Sequence, residues 1–344
     1  MSNHYDEQDN QETHEDEVLE GRREKPDLPT TLTALQTSDR QDSVIFYGLS
    51  DLTSFEAAEF EKTWSKLDDE RRRRIIHELV DTSEANFELN YSMVALSVLD
   101  DPDAEVRTGA VELLWESEEV STLHRLLEIA QWDDAAEVRA AAATAVGRFI
   151  LMGELGDFPE NEAARAQDIV IGILNNEDEE IDVRRRALEA IANSSHEIVE
   201  GAIREAYESH EYKMRVSAVF AMGRSADDQW IPTVLRELDS DDTEIRYEAA
   251  RAAGELVIED AIPALSRIAF DSDRETQNNA IWSLGEIGGR DAERILNLLA
   301  NNARELDDGD LVEAIEDALG NATLGGDVLD LLRYSADSDA DDRE

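Results

Sequence analysis

A ten-residue pattern of apolar and polar positions recurs six times along this chain. In most copies it reads apolar-Arg-x-x-Ala-apolar-x-x-apolar-Gly. The copies begin at Val106, Val138, Val183, Met214, Ile245 and Thr276. Successive copies start 32, 45, 31, 31 and 31 residues apart. A near-constant period of this length is typical of stacked helical repeats, in which each unit buries its apolar face against its neighbours.

The apolar positions within each copy predict an α-helix, because offsets 0, 4, 5 and 8 from the start fall on one helical stripe. Offset four is alanine in every copy, which predicts a close approach of two helix backbones. These alanines are Ala110, Ala142, Ala187, Ala218, Ala249 and Ala280. Offset nine is glycine in four copies, with Trp115 and Ala192 as the exceptions. Glycine there indicates the end of the first helix or its close crossing with the second.

A second helix and an acidic turn complete each predicted unit. Pro232 and Pro263 both stand eighteen residues after the start of their repeat, which suits the first turn of a helix. Acidic stretches such as residues 239–242 join one unit to the next as caps and turns. Four of the arginines at offset one follow an acidic residue by four positions. That spacing favours ion pairs within the helix or a ladder between repeats.

Residues 103–114, 243–256 and 279–288 resemble HEAT-like repeats, of the short type also found in the bilin-lyase family. The resemblance implies an all-α chain that folds as a right-handed α-solenoid of seven or eight stacked two-helix units. Degenerate copies at residues 69–80 and 309–320 are interpreted as capping units with a more polar outer face.

We expect five segments along the chain. They are an acidic, disordered N-terminal tail over residues 1–40, a helical cap with a degenerate repeat over 41–100, a HEAT-like array over 101–305 with an insertion loop at about 151–162, a C-terminal capping repeat over 306–334, and an acidic disordered tail over 335–344.

Acidity is the second informative feature. The formal net charge is −50, and residues 1–28 and 327–344 account for −7 and −5 of it, which leaves −38 on the array. Such a field repels nucleic acid and anionic membranes and favours basic partners. Because 28 arginines stand against only 4 lysines, the composition also resembles a salt-adapted protein. Both interpretations stay open.

The composition narrows the possible chemistry. The absence of cysteine excludes a disulfide framework, a thiol nucleophile and a zinc-thiolate site. No apolar run reaches the length of a membrane span, and the acidic start lacks a basic signal region, so we expect a cytoplasmic protein.

His-Glu pairs at His77, His196 and His210 prompt a comparison with deoxyhypusine hydroxylase, an iron enzyme built from HEAT-like repeats. In that family the pair directly follows the arginine of the repeat. No pair here stands in that position, so the sequence predicts no metal centre. It predicts no catalytic residues and no cofactor either.

One column departs from its own pattern. Offset six is polar in four repeats, but it is Phe220 and Trp282 in the other two. With residues one turn earlier on the same face, the aromatic and arginine side chains form a candidate partner-binding set, because such residues dominate binding hot spots. The set is Phe220, Tyr247, Arg251, Asn278 and Trp282. The alternative is that these rings pack between neighbouring first helices.

The sequence therefore favours a non-enzymatic scaffold for protein interactions, whose acidic array holds a basic protein or peptide. The alternative is an enzyme or accessory subunit of the bilin-lyase type that binds a tetrapyrrole. No residue of the chain is matched to chromophore handling.

Overall fold

A computed structural model describes residues 25–37, 43–270 and 273–323. Secondary structure in these ranges is helical, and no strand occurs among them. The chain divides into two compact units, one that ends at Leu126 and one that begins at Leu127.

The first unit contains short helices, several of them started by side-chain caps. They are α1 (Leu28–Thr37), a 3-10 helix (Ser43–Leu49), α2 (Ser54–Trp64), α3 (Asp69–Ala85), α4 (Ser92–Val98), α5 (Ala104–Glu112) and the beginning of α6 (Val120–Trp132). Thr53 and Glu56 form a capping box at α2, and Asp68 caps α3. These caps satisfy amide groups that the first turn of a helix leaves without partners.

The second unit is a regular series of helix pairs. The helices are α7 (Ala136–Leu155), α8 (Glu160–Leu174), α9 (Ile181–Ile191), α10 (Ile198–Glu208), α11 (Tyr212–Arg224), α12 (Ile231–Glu237), α13 (Thr243–Glu255), α14 (Ile262–Ile268), α15 (Arg274–Ile287) and α16 (Gly289–Glu305). Residues 309–323 form one more helix. The first helices α7, α9, α11, α13 and α15 pack side by side in chain order. The predicted all-α class with stacked two-helix repeats is confirmed.

The alanine column is buried, and the glycine column forms contacts between first helices. All six alanines of the offset-four column are fully buried. A Cβ atom on Gly223 would lie 2.8 Å from the Cα of Ala252, and one on Gly254 would lie 2.9 Å from the Cα of Ser283. Glycine is therefore required where one first helix crosses the first helix of the next repeat, and not where it crosses its own second helix.

The 45-residue interval between the repeat starts Val138 and Val183 was expected to contain a loop at residues 151–162, and helices occupy most of those residues. Helix α7 continues to Leu155, and α8 begins at Glu160, so only four residues connect them. Gly156 ends α7 in the left-handed conformation, with φ 83°. The ring of Phe158 packs against Phe149, with the ring centroids 5.2 Å apart. The insertion therefore lengthens two helices, and Phe158 is buried between them, whereas Leu155 at the end of α7 stays exposed.

The arginines at offset one cap the turn between repeats. Arg139, Arg215 and Arg246 each donate a guanidinium hydrogen bond to the carbonyl six residues earlier, at 2.7–3.0 Å. Arg184 donates Nε to the carbonyl of Leu174 at 3.0 Å. The last carbonyls of a helix lack intrahelical donors, and the guanidinium supplies them. This contact takes the place of the expected pairing of Arg184 and Arg215 with the acid four residues before.

The expected N-terminal tail contains an ordered helix. Helix α1 lies within residues 1–40 and buries Leu28 and Leu35, because its apolar side chains are spaced two helical turns apart on one face. Residues 1–24 and 335–344, also expected to be tails, lie outside the described residues.

Candidate functional site

The side-by-side packing of α11, α13 and α15 aligns equivalent residues of successive repeats. Arg224 and Glu255 both stand at offset ten, and their Nε and Oε1 atoms are 3.3 Å apart. Asn279 of α15 donates its amide to the carbonyl of Tyr247 on α13 at 2.9 Å. The columns read from the sequence are therefore real neighbours across the repeats.

The five predicted binding residues share this surface, and all of them keep some exposure to solvent. Phe220, Tyr247 and Arg251 are half-buried, whereas Asn278 is exposed and 38% of the Trp282 surface is accessible. Neither predicted aromatic anchor is fully enclosed between helices. Their role in binding stays a prediction.

Phe220 and Arg251 are brought into direct contact. The guanidinium carbon of Arg251 lies 4.3 Å from the centroid of the Phe220 ring, and that of Arg224 lies 5.6 Å from it. Both distances allow a cation–π interaction. Part of the predicted set is therefore held together inside the protein, between α11 and α13.

Glu255 forms ion pairs with both of these arginines. Its Oε1 atom is 3.1 Å from Nε of Arg251, an ion pair in addition to the one with Arg224. The side chain is only 13% exposed, and its Oε2 atom has no hydrogen-bond donor. Burial raises the pKa of this carboxyl in spite of both arginines.

Asn278 and Trp282 differ from the other three members of the set. Their side chains form no hydrogen bond and no ring contact with the part of the chain that the structure describes. Burial raises the pKa of Tyr247, so its hydroxyl stays protonated and can donate at neutral pH. The surface thus exposes the indole of Trp282 and the carboxamide of Asn278, with the phenol of Tyr247 half-buried beside them on the neighbouring helix.

Glu248 is a residue of this surface that the sequence analysis missed. It is half-buried, and its Oε2 atom is shielded from solvent and has no donor. The pKa of Glu248 is raised to about 7, chiefly by burial and also by the nearby carboxylates Glu189 and Glu255, against the lowering effect of Arg251. The sequence did contain a signal for Glu248. Offset three holds a small or amide side chain in most other repeats, so a glutamate at this offset departs from the pattern.

Glu189 continues the row of buried carboxylates toward α9. The hydroxyl of Ser217 on α11 donates to its Oε1, and Nη1 of Arg186 is 2.5 Å from its Oε2. Glu189 is paired on both oxygens, whereas Glu248 and Glu255 each keep one buried carboxylate oxygen, Oε2, without a hydrogen-bond donor.

No metal site accompanies these carboxylates in the described ranges: no group of three or more histidine, aspartate or glutamate side chains there is arranged to hold an ion. None of the helices over the same ranges is long and apolar enough to cross a membrane.

Residues 231–320, which include α12 to α16, match the family model described as HEAT repeats. The predicted resemblance to HEAT repeats is confirmed over these residues. No curated protein matches the chain in sequence.

Three solved structures resemble the chain at low similarity. Human deoxyhypusine hydroxylase is 18% identical with a TM-score of 0.34, and the match covers 78% of this chain and 96% of that one. YibA of Escherichia coli is 14% identical with a TM-score of 0.38, over 78% and 98% of the two chains. An engineered protein is 18% identical with a TM-score of 0.36, over 85% and 88%. Since all three TM-scores lie below 0.5, they carry no argument about binding or catalysis.

Proposed function

We propose that this chain is a non-enzymatic interaction scaffold whose acidic HEAT-repeat array binds a basic protein or peptide. The binding surface is formed by Phe220, Tyr247, Arg251, Asn278 and Trp282 on α11, α13 and α15. The observation that supports this proposal is the indole of Trp282, which is 38% exposed on an array of strongly negative charge. An exposed aromatic ring suits the cationic side chain of a lysine or arginine.

The charge of the chain supports a basic partner. The net charge is −50, so long-range attraction favours encounter with a positively charged surface. Arg251 and Arg224 are already engaged by Glu255 and Phe220.

The test is a quantitative pull-down with matched tryptophan variants. Trp282→Ala removes the proposed anchor, and Trp132→Ala removes an indole that is 75% exposed on another helix. Proteins captured by each variant are compared with the wild type by mass spectrometry, and the affinity of the enriched partner is then measured. We expect Trp282→Ala to weaken binding at least about tenfold, and Trp132→Ala to leave it unchanged.

Equal loss of binding in both tryptophan variants would indicate nonspecific binding through exposed aromatic rings and contradict the proposed site. A normal helical circular dichroism spectrum of Trp282→Ala is the required control. The tetrapyrrole alternative has a separate test, since binding of a bilin would change the absorbance of the pigment when purified protein is added.

A further inference from the structure

A groove opens along α10, and none of the five residues of the proposed binding surface lines it. It has a volume of about 370 Å³ and lies between the end of α8, the start of α9 and one side of α10. Leu174, Ile198 and Met214 supply apolar walls. A space of this size, with apolar walls, can hold long side chains of a partner.

Small residues keep the groove open. Gly201 and Ala202 of α10 both line it. A Cβ atom on Gly201 would meet no other atom within 4 Å, so no packing contact accounts for glycine at this helical position. The free space above the helix at this point is accessible from outside.

The rim of the groove is acidic and unpaired. Glu197, Glu205 and Glu211 border it, and their carboxylates form no ion pair or hydrogen bond within the described residues. The one basic residue among the lining side chains, Arg184, donates its Nε to a backbone carbonyl. The groove therefore combines an apolar floor with an excess of negative charge, three carboxylates against one guanidinium.

The acidic rim continues beyond the start of α10. A second cavity, of about 560 Å³, shares Glu197 with the groove and is also lined by Glu200 and Asp228. Glu200 is paired with Arg204 at 2.7 Å, whereas the Asp228 carboxylate has no such pairing in the described residues. A bound segment could follow this line of acids from one repeat to the next.

We propose that the groove on α10 binds a long basic side chain, lysine or arginine, carried by a basic and apolar peptide segment. Its aliphatic stem lies on Gly201 and Ala202, and its charged head meets Glu197, Glu205 and Glu211. Such side chains bury their methylene groups while the charged end stays near water and carboxylates. The inference rests on the proposed basic partner but uses a surface separate from Trp282.

The test fills the groove without changing charge. Gly201→Leu places a side chain in the open space, whereas Gly172→Leu is the matched control, since Gly172 is an exposed glycine of α8 that also has no atom near its Cβ position. Leucine is a better helix former than glycine, so both variants should fold. The probe is a fluorescent octapeptide of alternating lysine and leucine, with a glutamate–leucine peptide as the charge control.

We expect Gly201→Leu to weaken binding of the lysine peptide at least about tenfold, with Gly172→Leu within about twofold of the wild type. The methyl resonance of Met214, which lines the groove, should shift on titration, while that of the fully buried Met222 on the same helix should not.

If Gly201→Leu binds the lysine peptide with wild-type affinity, or if the Met214 resonance does not shift, the proposed groove site is overturned. The two proposals fail separately. If Trp282→Ala weakens binding of the partner while Gly201→Leu does not, the scaffold proposal stands and the groove proposal is wrong. If only Gly201→Leu weakens binding of the partner, the groove proposal stands and the proposal of a binding surface around Trp282 is wrong.

Discussion

Two faces of the same first helices follow different rules. The buried side, called the first face, carries alanine at offset four and, toward the next repeat, mostly glycine at offset nine, and it is nearly identical from unit to unit. The face at offsets three and six carries Glu189, Phe220, Glu248, Arg251 and Trp282 in different repeats. Backbone distance restricts the first face to the smallest residues. Long side chains meet on the second face, so its residues can vary and can carry specificity.

The largest expected effect is overpacking of the first face. Ala249→Leu should lower the free energy of unfolding of the second unit by about 1–3 kcal/mol, because the fully buried methyl group has no room to grow. Chemical denaturation followed by circular dichroism measures this change. Trp282→Leu, on the second face, serves as the comparison and should cost much less. A neutral Ala249→Leu would show that the alanine column is not a tight contact.

The same difference should appear between two glycines. Gly254→Ala should destabilise by about 1–2 kcal/mol, because its Cβ would lie 2.9 Å from the Cα of Ser283. Gly172→Ala, whose Cβ meets nothing, should instead stabilise by up to about 1 kcal/mol through helix propensity. Thermal denaturation of the two variants side by side tests both signs. If both variants are stabilised, the close crossing of first helices is wrong.

Glu248, on the second face, should make the stability of the folded chain depend on pH. Its pKa is raised from 4.5 to about 7 in the folded chain, so the folded state binds the proton more tightly than the unfolded state does. Stability from this group is present below about pH 4.5 and is lost as the pH rises through about 7. Glutamine does not titrate, so Glu248→Gln should gain about 1–2 kcal/mol over the wild type between pH 5 and pH 8.

The control for that experiment is Glu244→Gln, on the exposed start of the same helix, which should show no such gain. Carboxylates Glu189 and Glu255 and the guanidinium groups of Arg251 and Arg186 also face Glu248. A constant difference between wild type and Glu248→Gln from pH 5 to pH 8 would contradict the burial of this carboxyl.

Salt tests the whole acidic surface, and under the proposed function it has the smallest expected effect on stability. If the acidity serves a basic partner, stability should change little from about 0.1 M to about 2 M potassium chloride, while partner binding weakens. If it is salt adaptation, stability should rise steeply over the same range, because screening relieves self-repulsion. Thermal denaturation and binding titrations at both salt concentrations separate the two. Equal stability together with salt-independent binding would contradict both.

The sequence alone determined the repeat and its register. Apolar residues at offsets 0, 4, 5 and 8 define one helical face, and the period near 31 residues shows that this face is used again and again. The proline positions at the second helices were also readable, since Pro232 and Pro263 stand in the first turns of α12 and α14. These features depend on local geometry, which the order of residues specifies directly.

Only the tertiary structure decided which neighbour each face meets. The sequence could not show that Gly254 faces Ser283 of the next first helix, or that Arg215 donates to a turn carbonyl instead of pairing with Glu211. It also could not show that Glu248 is shielded while Trp282 remains exposed. Helical periodicity tells which side of a helix is apolar. The distance to the adjacent helix, which determines burial, hydrogen bonding and pKa, arises only when the repeats are packed together.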